Sequence, residues 1–205
     1  PLQSFLPPPP PTPSHTGPTR LIAPASTILF VPNSHTATTP HSPYPASNLP
    51  SPTHWTAYPR PSSILLLSQP PDQSCAVLGD ILATRLRHRG VRAVVVDGRV
   101  RDLKSLAGLQ DGGFGVWTRG TSVVGAGAEA KAWAVDVGVK VGKVGVEPGD
   151  IVFADAEERG VVVIPKDRLE EVVEMLPRLK EADEKCLEDV RSGIDVAEAF
   201  ARHRG

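Results

Sequence analysis

The sequence predicts an α/β fold over its second part, and three stretches carry that prediction. "DILATRLRHRG" (residues 80–90) has the pattern of a short helix stopped by a glycine. "VRAVVVDG" (91–98) is a near-continuous apolar run, as in a strand covered on both faces. "DRLEEVVEMLPRLKEADEKCLEDVRSG" (167–193) repeats Leu169, Val172, Val173 and Leu176 at i, i+3, i+4 and i+7, the spacing of an amphipathic helix.

The earlier part differs in composition. Seventeen of the 22 prolines precede residue 62, and no Asp or Glu precedes Asp72. "PPPPPTP" (7–13) predicts a polyproline II segment, because each ring fixes φ and removes a backbone donor. "RLIAPASTILFV" (20–31) and "SSILLLSQP" (62–70) are apolar runs bounded by Pro, Ser and Asn, and read as strands. The Pro/Ser/Thr-rich stretch 33–61 between them reads as a long loop, mobile or functional. Its His35, His41 and His54 lack the spacing and acidic company of a metal site and are expected to face solvent.

In the later part, Asp80 is expected as the N-cap of the first helix and Gly90 as its stop. "VEPGDIVFAD" and "GVVVIP" read as two short strands, with Pro148-Gly149 supplying the turn ahead of the first. Pro177 is expected to kink or divide the long helix. A last helix, "VAEAFARH", would be capped by Asp195.

A length of 205 residues suits one domain with a tail. A formal net charge of −1 gives no basic footprint for nucleic acid. Cys75 and Cys186 stand alone, against a disulfide framework or thiolate zinc site. Apolar runs are too short to span a bilayer and no signal-peptide pattern is present, so a soluble, cytoplasmic protein is expected.

The stretch with most chemistry runs from Gly79 to Asp102. A helix over 81–89 travels roughly 14 Å away from Asp80 at 1.5 Å per residue. The strand from Val91 to Val96 returns about 20 Å at 3.3 Å per residue. Asp80, Arg101 and Asp102 would then share one rim. Backbone N–H groups of Ile81 and Leu82 at the helix start favour an anion, and Arg101 adds a bidentate donor for it. Two carboxylates suit a hard cation such as Mg²⁺, and a 2-oxo acid would satisfy both halves. On the residues alone, a plain N-cap and a surface Arg-Asp pair explain the same stretch, and that alternative stays open.

Asp80, then twenty residues, then Arg101-Asp102 resembles the motif of class II 4-hydroxy-4-methyl-2-oxoglutarate aldolases. They share the RraA-like family with the regulator of RNase E activity A. The likeness extends through "AVLGDILATRL", "RGVRAVVVDGRVRD", "WTRGTS", "VEPGDIVFAD" and "GVVVIP", from about residue 17 onward. The resemblance implies a three-layer β/β/α fold of the swivelling-domain type over 17–205, after a Pro-rich segment at 1–16. It implies a homotrimer or dimer of trimers with the active site near a subunit interface. It implies that Asp102 ligates Mg²⁺ or Mn²⁺ directly and that Asp80 does so through water. Arg101 would bind the 2-oxo acid, with the backbone around Gly79, Asp80, Ile81 and Leu82 taking its carboxylate. The activity implied is metal-dependent cleavage of 4-hydroxy-2-oxo acids to pyruvate, or decarboxylation of oxaloacetate. Family members carry a helical stretch ahead of the region matching "GPTRLIAPAST", where this sequence has "PLQSFLPPPPPTPSHT". A non-catalytic trimer regulating a partner enzyme, and a member that keeps the fold without activity, are the alternatives.

Other features read as structural. "SVVGAGAEA" (122–130) fits G-x-G-x-x-A, but the β-rich "KAWAVDVGVKVG" that follows leaves no room for the helix a dinucleotide site needs. Arg119 is expected as a brace, Asp97 as a turn cap, His88 as solvated, and Trp117 and Trp133 as packing residues.

Overall fold

Strand β1 (Arg20–Pro32) is the longest strand of the computed structural model, which describes residues 20–38, 41–50, 52–110 and 113–205. The polyproline expectation therefore lies outside the described residues. β1 serves two pairings in succession. Residues Arg20 to Pro24 pair antiparallel with β9 (Ile151–Asp155), and Ala25 to Leu29 pair parallel with β2 (Ile64–Ser68). On its other side, Ile28 to Pro32 pair antiparallel with β6 (Ala130–Val135). Pro24 stands where one pairing hands over to the next, so its missing N–H costs little.

The sheet continues from β2 to β4 (Ala93–Val100), which also pairs parallel with β3 (Ala76–Leu78) and β5 (Gly115–Thr121). β10 (Gly160–Ile164) completes the edge beyond β9, and β7 (Val139–Val141) with β8 (Val144–Val146) makes a separate hairpin. Between the strands lie α1 (Asp80–His88) and α2 (Leu103–Gln110). The architecture is mixed α/β, as the sequence predicts.

The apolar run of β4 splits by alternation. Ala93 and Val95 join Ile64, Leu66, Val139, Val141 and Val146 in one core, while Val94 and Val96 join Leu65, Leu67, Ala83 and Leu86 in the other. All four β4 residues are fully buried, the outcome expected of a strand covered on both faces.

The chain falls into two compact units, one ending at Val163 and one spanning Ile164–Gly205. The second holds α3 (Leu169–Arg191) and α4 (Val196–His203). α3 runs through Pro177 as one helix, so the proline does not divide it. Asp195 caps α4 as predicted, its carboxylate accepting the Ala197 N–H at 2.8 Å. No helix of the described residues is long and apolar enough to cross a membrane.

Several expectations are corrected. The stretch 33–61 contains a short 3-10 turn (Trp55–Ala57) and is fastened to β6: Asn48 exchanges two 2.8 Å hydrogen bonds with Val135, and the Trp133 indole N–H donates to the Pro45 carbonyl. His35 is buried, edge-on to Tyr44 and Trp133, because this loop folds over it. Asp97 does not cap a turn. It lies within β4, where one carboxylate oxygen accepts the Gly142 N–H at 2.8 Å and the other pairs with Arg119. Arg119 braces its own chain in this way. Pro148-Gly149 forms the expected turn: Gly149 has φ +92°, and the Asp150 N–H bonds the Glu147 carbonyl.

Leu66 is fully buried in the core under β2. Leu66→Ala is expected to destabilise the protein by about 2–5 kcal/mol, read as a lower urea midpoint at unchanged slope.

Candidate functional site

β3 and β4 are parallel and end together, with Leu78 opposite Val100. Whatever follows each strand therefore emerges on the same rim. After β3 comes Gly79 and the start of α1; after β4 come Arg101 and Asp102. The Arg101 N–H donates to the Leu78 carbonyl at 3.0 Å and extends the ladder one residue past the strand.

At that rim the structure brings the predicted residues together. Asp102 Oδ2 accepts the Asp80 N–H at 3.3 Å and lies 3.3 Å from Arg101 Nε. Asp102 itself is in the left-handed region, with φ +62°, a conformation that Asp tolerates better than most residues. Its carbonyl accepts the Leu106 N–H at 3.0 Å as α2 begins. One residue thus starts α2 with its backbone and faces α1 with its side chain.

The start of α1 differs from expectation by one position. Gly79 is the N-cap, its carbonyl taking the Ala83 N–H, and Asp80 is the first helical residue. Asp80 Oδ1 accepts the Ile81 N–H at 2.7 Å. The chain's own carboxylates therefore hold two of the amides expected to meet a ligand. Negative charge at a helix N-terminus is favourable, and these two carboxylates occupy that position.

Gly79 makes the approach possible. A Cβ there would lie 2.6 Å from Asp102 Oδ2 and 3.0 Å from Arg101 Nε. A Cβ at Gly125 would lie 3.1 Å from Arg101 Nη1, so the guanidinium passes between two glycines. A cleft of about 90 Å³ results, lined by Gly79, Asp80, Ile81, Leu82, Arg101 and Gly125 among others. Asp102 is not one of its lining residues; its Oδ2 packs against Gly79, which is. The Ile81 side chain is exposed on the same rim.

Sequence reasoning missed the Gly125 wall. The "GAGAEA" stretch drew notice only as a weak dinucleotide match; it forms a 3-10 turn (Ala126–Ala128) and then β6, with no helix after it. Glu129 ties this wall down. Its carboxylate accepts the Ser74 N–H at 2.7 Å, the Cys75 N–H at 2.9 Å and the Ser74 hydroxyl at 3.0 Å. The Cys75 amide, then the Ser74 amide and hydroxyl, hold its carboxyl below the usual carboxylate range.

Among the described residues no group of three or more His, Cys, Asp or Glu side chains is gathered as a metal cage. Asp80 and Asp102 offer carboxylate oxygens only. That donor set fits a hard, water-rich cation of the Mg²⁺ type, which needs one or two carboxylates, and does not fit a zinc site.

The RraA-like family model, described as Aldolase/RraA, matches residues 11–163. The chain belongs to the RraA-like family. A protein of Halalkalibacterium halodurans provisionally named a 4-hydroxy-4-methyl-2-oxoglutarate aldolase is 30% identical over 128 residues, covering 62% of this chain and 58% of that protein. An uncharacterized protein of Methanocaldococcus jannaschii is 35% identical over 125 residues, covering 61% of this chain and 57% of its own. The matches thus span little more than half the length of these relatives. Among solved structures, Streptomyces coelicolor RraAS2, described as an unusual member of the RNase ES inhibitor RraA family, superposes with TM-score 0.65 at 28% identity, over 86% of this chain and 84% of that one. By these names the relatives include a provisional aldolase and a member of the RNase ES inhibitor RraA family.

A depressed carboxyl pKa contributes stability above the ordinary value, about 4.3 for Glu, and loses it as pH falls through the lowered one. Glu129→Gln is expected to lower the thermal midpoint by a constant amount from about pH 5 upward, with the gap closing below about pH 4. A scan of both proteins against pH checks this.

Proposed function

We propose that this chain is a divalent-metal-dependent lyase that releases pyruvate from small 2-oxo acids. Its reactions would be cleavage of 4-hydroxy-2-oxo acids of the 4-hydroxy-4-methyl-2-oxoglutarate type and decarboxylation of oxaloacetate. Its setting would be a cytoplasmic homotrimer or dimer of trimers. The observation that carries the reading is the meeting of Asp102 with Arg101 and the Asp80 amide, each at 3.3 Å. The aldolase-named relative supports the substrate class.

Asp102 would hold Mg²⁺ or Mn²⁺ directly and Asp80 through water, and the cation would supply Lewis acidity toward the 2-oxo oxygen. The Asp80 and Ile81 amides at the helix N-terminus, held here by the Asp102 and Asp80 carboxylates, would receive the substrate carboxylate. Arg101, held between Gly79 and Gly125, presents a planar fork to the same substrate. Breaking the C–C bond leaves an electron pair on the pyruvate fragment, and the guanidinium charge favours that state over the ground state. In aldol cleavage a water hydrogen-bonded to Asp80 would take the 4-hydroxyl proton as that carbon becomes a carbonyl and pass it to the pyruvate carbon. With oxaloacetate the other fragment leaves as CO₂ and the water supplies the proton. No lysine nucleophile enters this scheme.

A second reading, a non-catalytic assembly that binds and regulates a partner enzyme, is favoured by the Streptomyces coelicolor relative. A coupled assay of pyruvate release from oxaloacetate, with Mg²⁺ and then with EDTA, separates the two. Metal-dependent release is expected. Release no faster than the uncatalysed rate would overturn the lyase and leave the binding reading. Activity surviving EDTA and trapped by borohydride would overturn the metal in favour of a Schiff base.

Arg101→Lys is expected to lose about 100-fold or more in kcat/KM, since an ammonium cannot reproduce the fork. Gly79→Ala is expected to lose activity to a similar degree while the protein stays folded, with a thermal midpoint lowered by a few degrees because Ala is the poorer N-cap. The added methyl would displace the Asp102 carboxylate and the Arg101 side chain, not backbone.

A further inference from the structure

A second cleft, of about 340 Å³, opens beside the C-terminal end of β2 and beside Asp97, Gly98 and Arg99 within β4, and shares no lining residue with the cleft at Arg101. The carboxyl ends of parallel strands are where open α/β sheets place their ligands, and this volume lies in the range of small-molecule sites. Gln69, Asp97, Arg99, Arg119, Lys140 and Gly142 line it, with other residues of the same segments.

Its charges do not cancel. Asp97 is paired with Arg119 and with the Gly142 N–H, so that carboxylate is already spent. Burial pushes the Asp97 carboxyl above its usual range, against the pull of those two partners, so a further negative group would not be welcome beside it without added cations. Arg99 and Lys140 supply them: among the described residues, neither has a carboxylate within ion-pair distance. Two exposed cations, one on β4 and one on β7, therefore line this cleft without a carboxylate partner.

Arg99 is also held ready. Its Nη1 donates to the Thr121 carbonyl at 3.1 Å, and its backbone N–H donates to Gln69 Oε1 at 3.0 Å. The β4–β5 ladder shifts register between Val96 and Arg99, and the bulge sets Gly98 against Gln69, where a Cβ would lie 2.1 Å from Oε1. Gly120 leaves room for the guanidinium, since a Cβ there would approach Arg99 Nη1 to 3.2 Å. An arginine tethered at both ends loses less freedom on binding an anion.

We propose that this cleft binds a small dicarboxylate, with Arg99 and Lys140 each facing one of its carboxylates. The two cations belong to separate strands, β4 and β7, which suits two charged ends better than one compact phosphate. A phosphate site would also recruit free backbone amides, and the Gly142 N–H is taken by Asp97.

The test is calorimetric titration of the full chain with succinate at constant ionic strength, with acetate and inorganic phosphate as comparisons. Saturable succinate binding is expected, with acetate and phosphate both weaker. Arg99→Gln and Lys140→Gln are each expected to weaken succinate by about tenfold or more, with unchanged thermal midpoints. Arg101→Gln is expected to leave it unaltered, which separates this cleft from the proposed lyase site. Absence of succinate binding, equal binding of acetate or phosphate, or loss of binding in Arg101→Gln with retention in the other two variants would overturn the proposal.

Discussion

The shared end of β3 and β4 is the constraint on which the candidate site depends. Parallel pairing that finishes at Leu78 and Val100 delivers a helix start and an Arg-Asp pair to one edge. The Arg101 N–H bond to the Leu78 carbonyl then locks the register one residue further. A slip of one residue would send every side chain to the opposite face and separate Arg101 from α1. Burial of Val94 and Val96 on one side, and of Ala93 and Val95 on the other, opposes such a slip. Core packing and site geometry are in this sense one requirement on β4.

Around that edge the chain brings like charges together and uses small residues to do it. Asp80 and Asp102 both lie at the α1 N-terminus, where amides and the helix dipole lower the cost of their proximity. Arg101 adds a positive charge, and Gly79 and Gly125 leave it space. Asp102 adopts a positive φ to face α1 while its carbonyl begins α2. A backbone position of this kind persists only where the surroundings over-determine it, and it sits where the chemistry is proposed.

β4 has a second charged stretch before its end. Asp97 and Arg99 flank Gly98 at the bulge and face a cleft separate from that of Arg101. One strand thus carries Asp97 and Arg99 to one cleft and runs on to Arg101 and Asp102 at another. The Asp97–Arg119 pair joins β4 to β5, and the Gly142 bond ties both to the β7–β8 turn.

Periodicity and turn chemistry in the sequence alone determined the α/β class, β1, β2, β4, the two C-terminal helices and the Pro148-Gly149 turn. Those signals are local: apolar alternation, capping by Asp195, and the φ that Gly149 supplies. The order and spacing of Asp80, Arg101 and Asp102 also marked the candidate site. Short β3 and α2 escaped notice: three residues carry too little pattern to stand out, and α2 contains Gly108, a poor helix former. Tertiary structure alone decided what depends on partners distant in the chain. It buried His35 under a loop, gave Asp97 to Gly142 and Arg119, and made the "GAGAEA" stretch a wall for Arg101. It also turned the Asp102 carboxylate onto the Asp80 amide of α1. No local pattern encodes these contacts, because each joins separate segments that only the folded chain brings together.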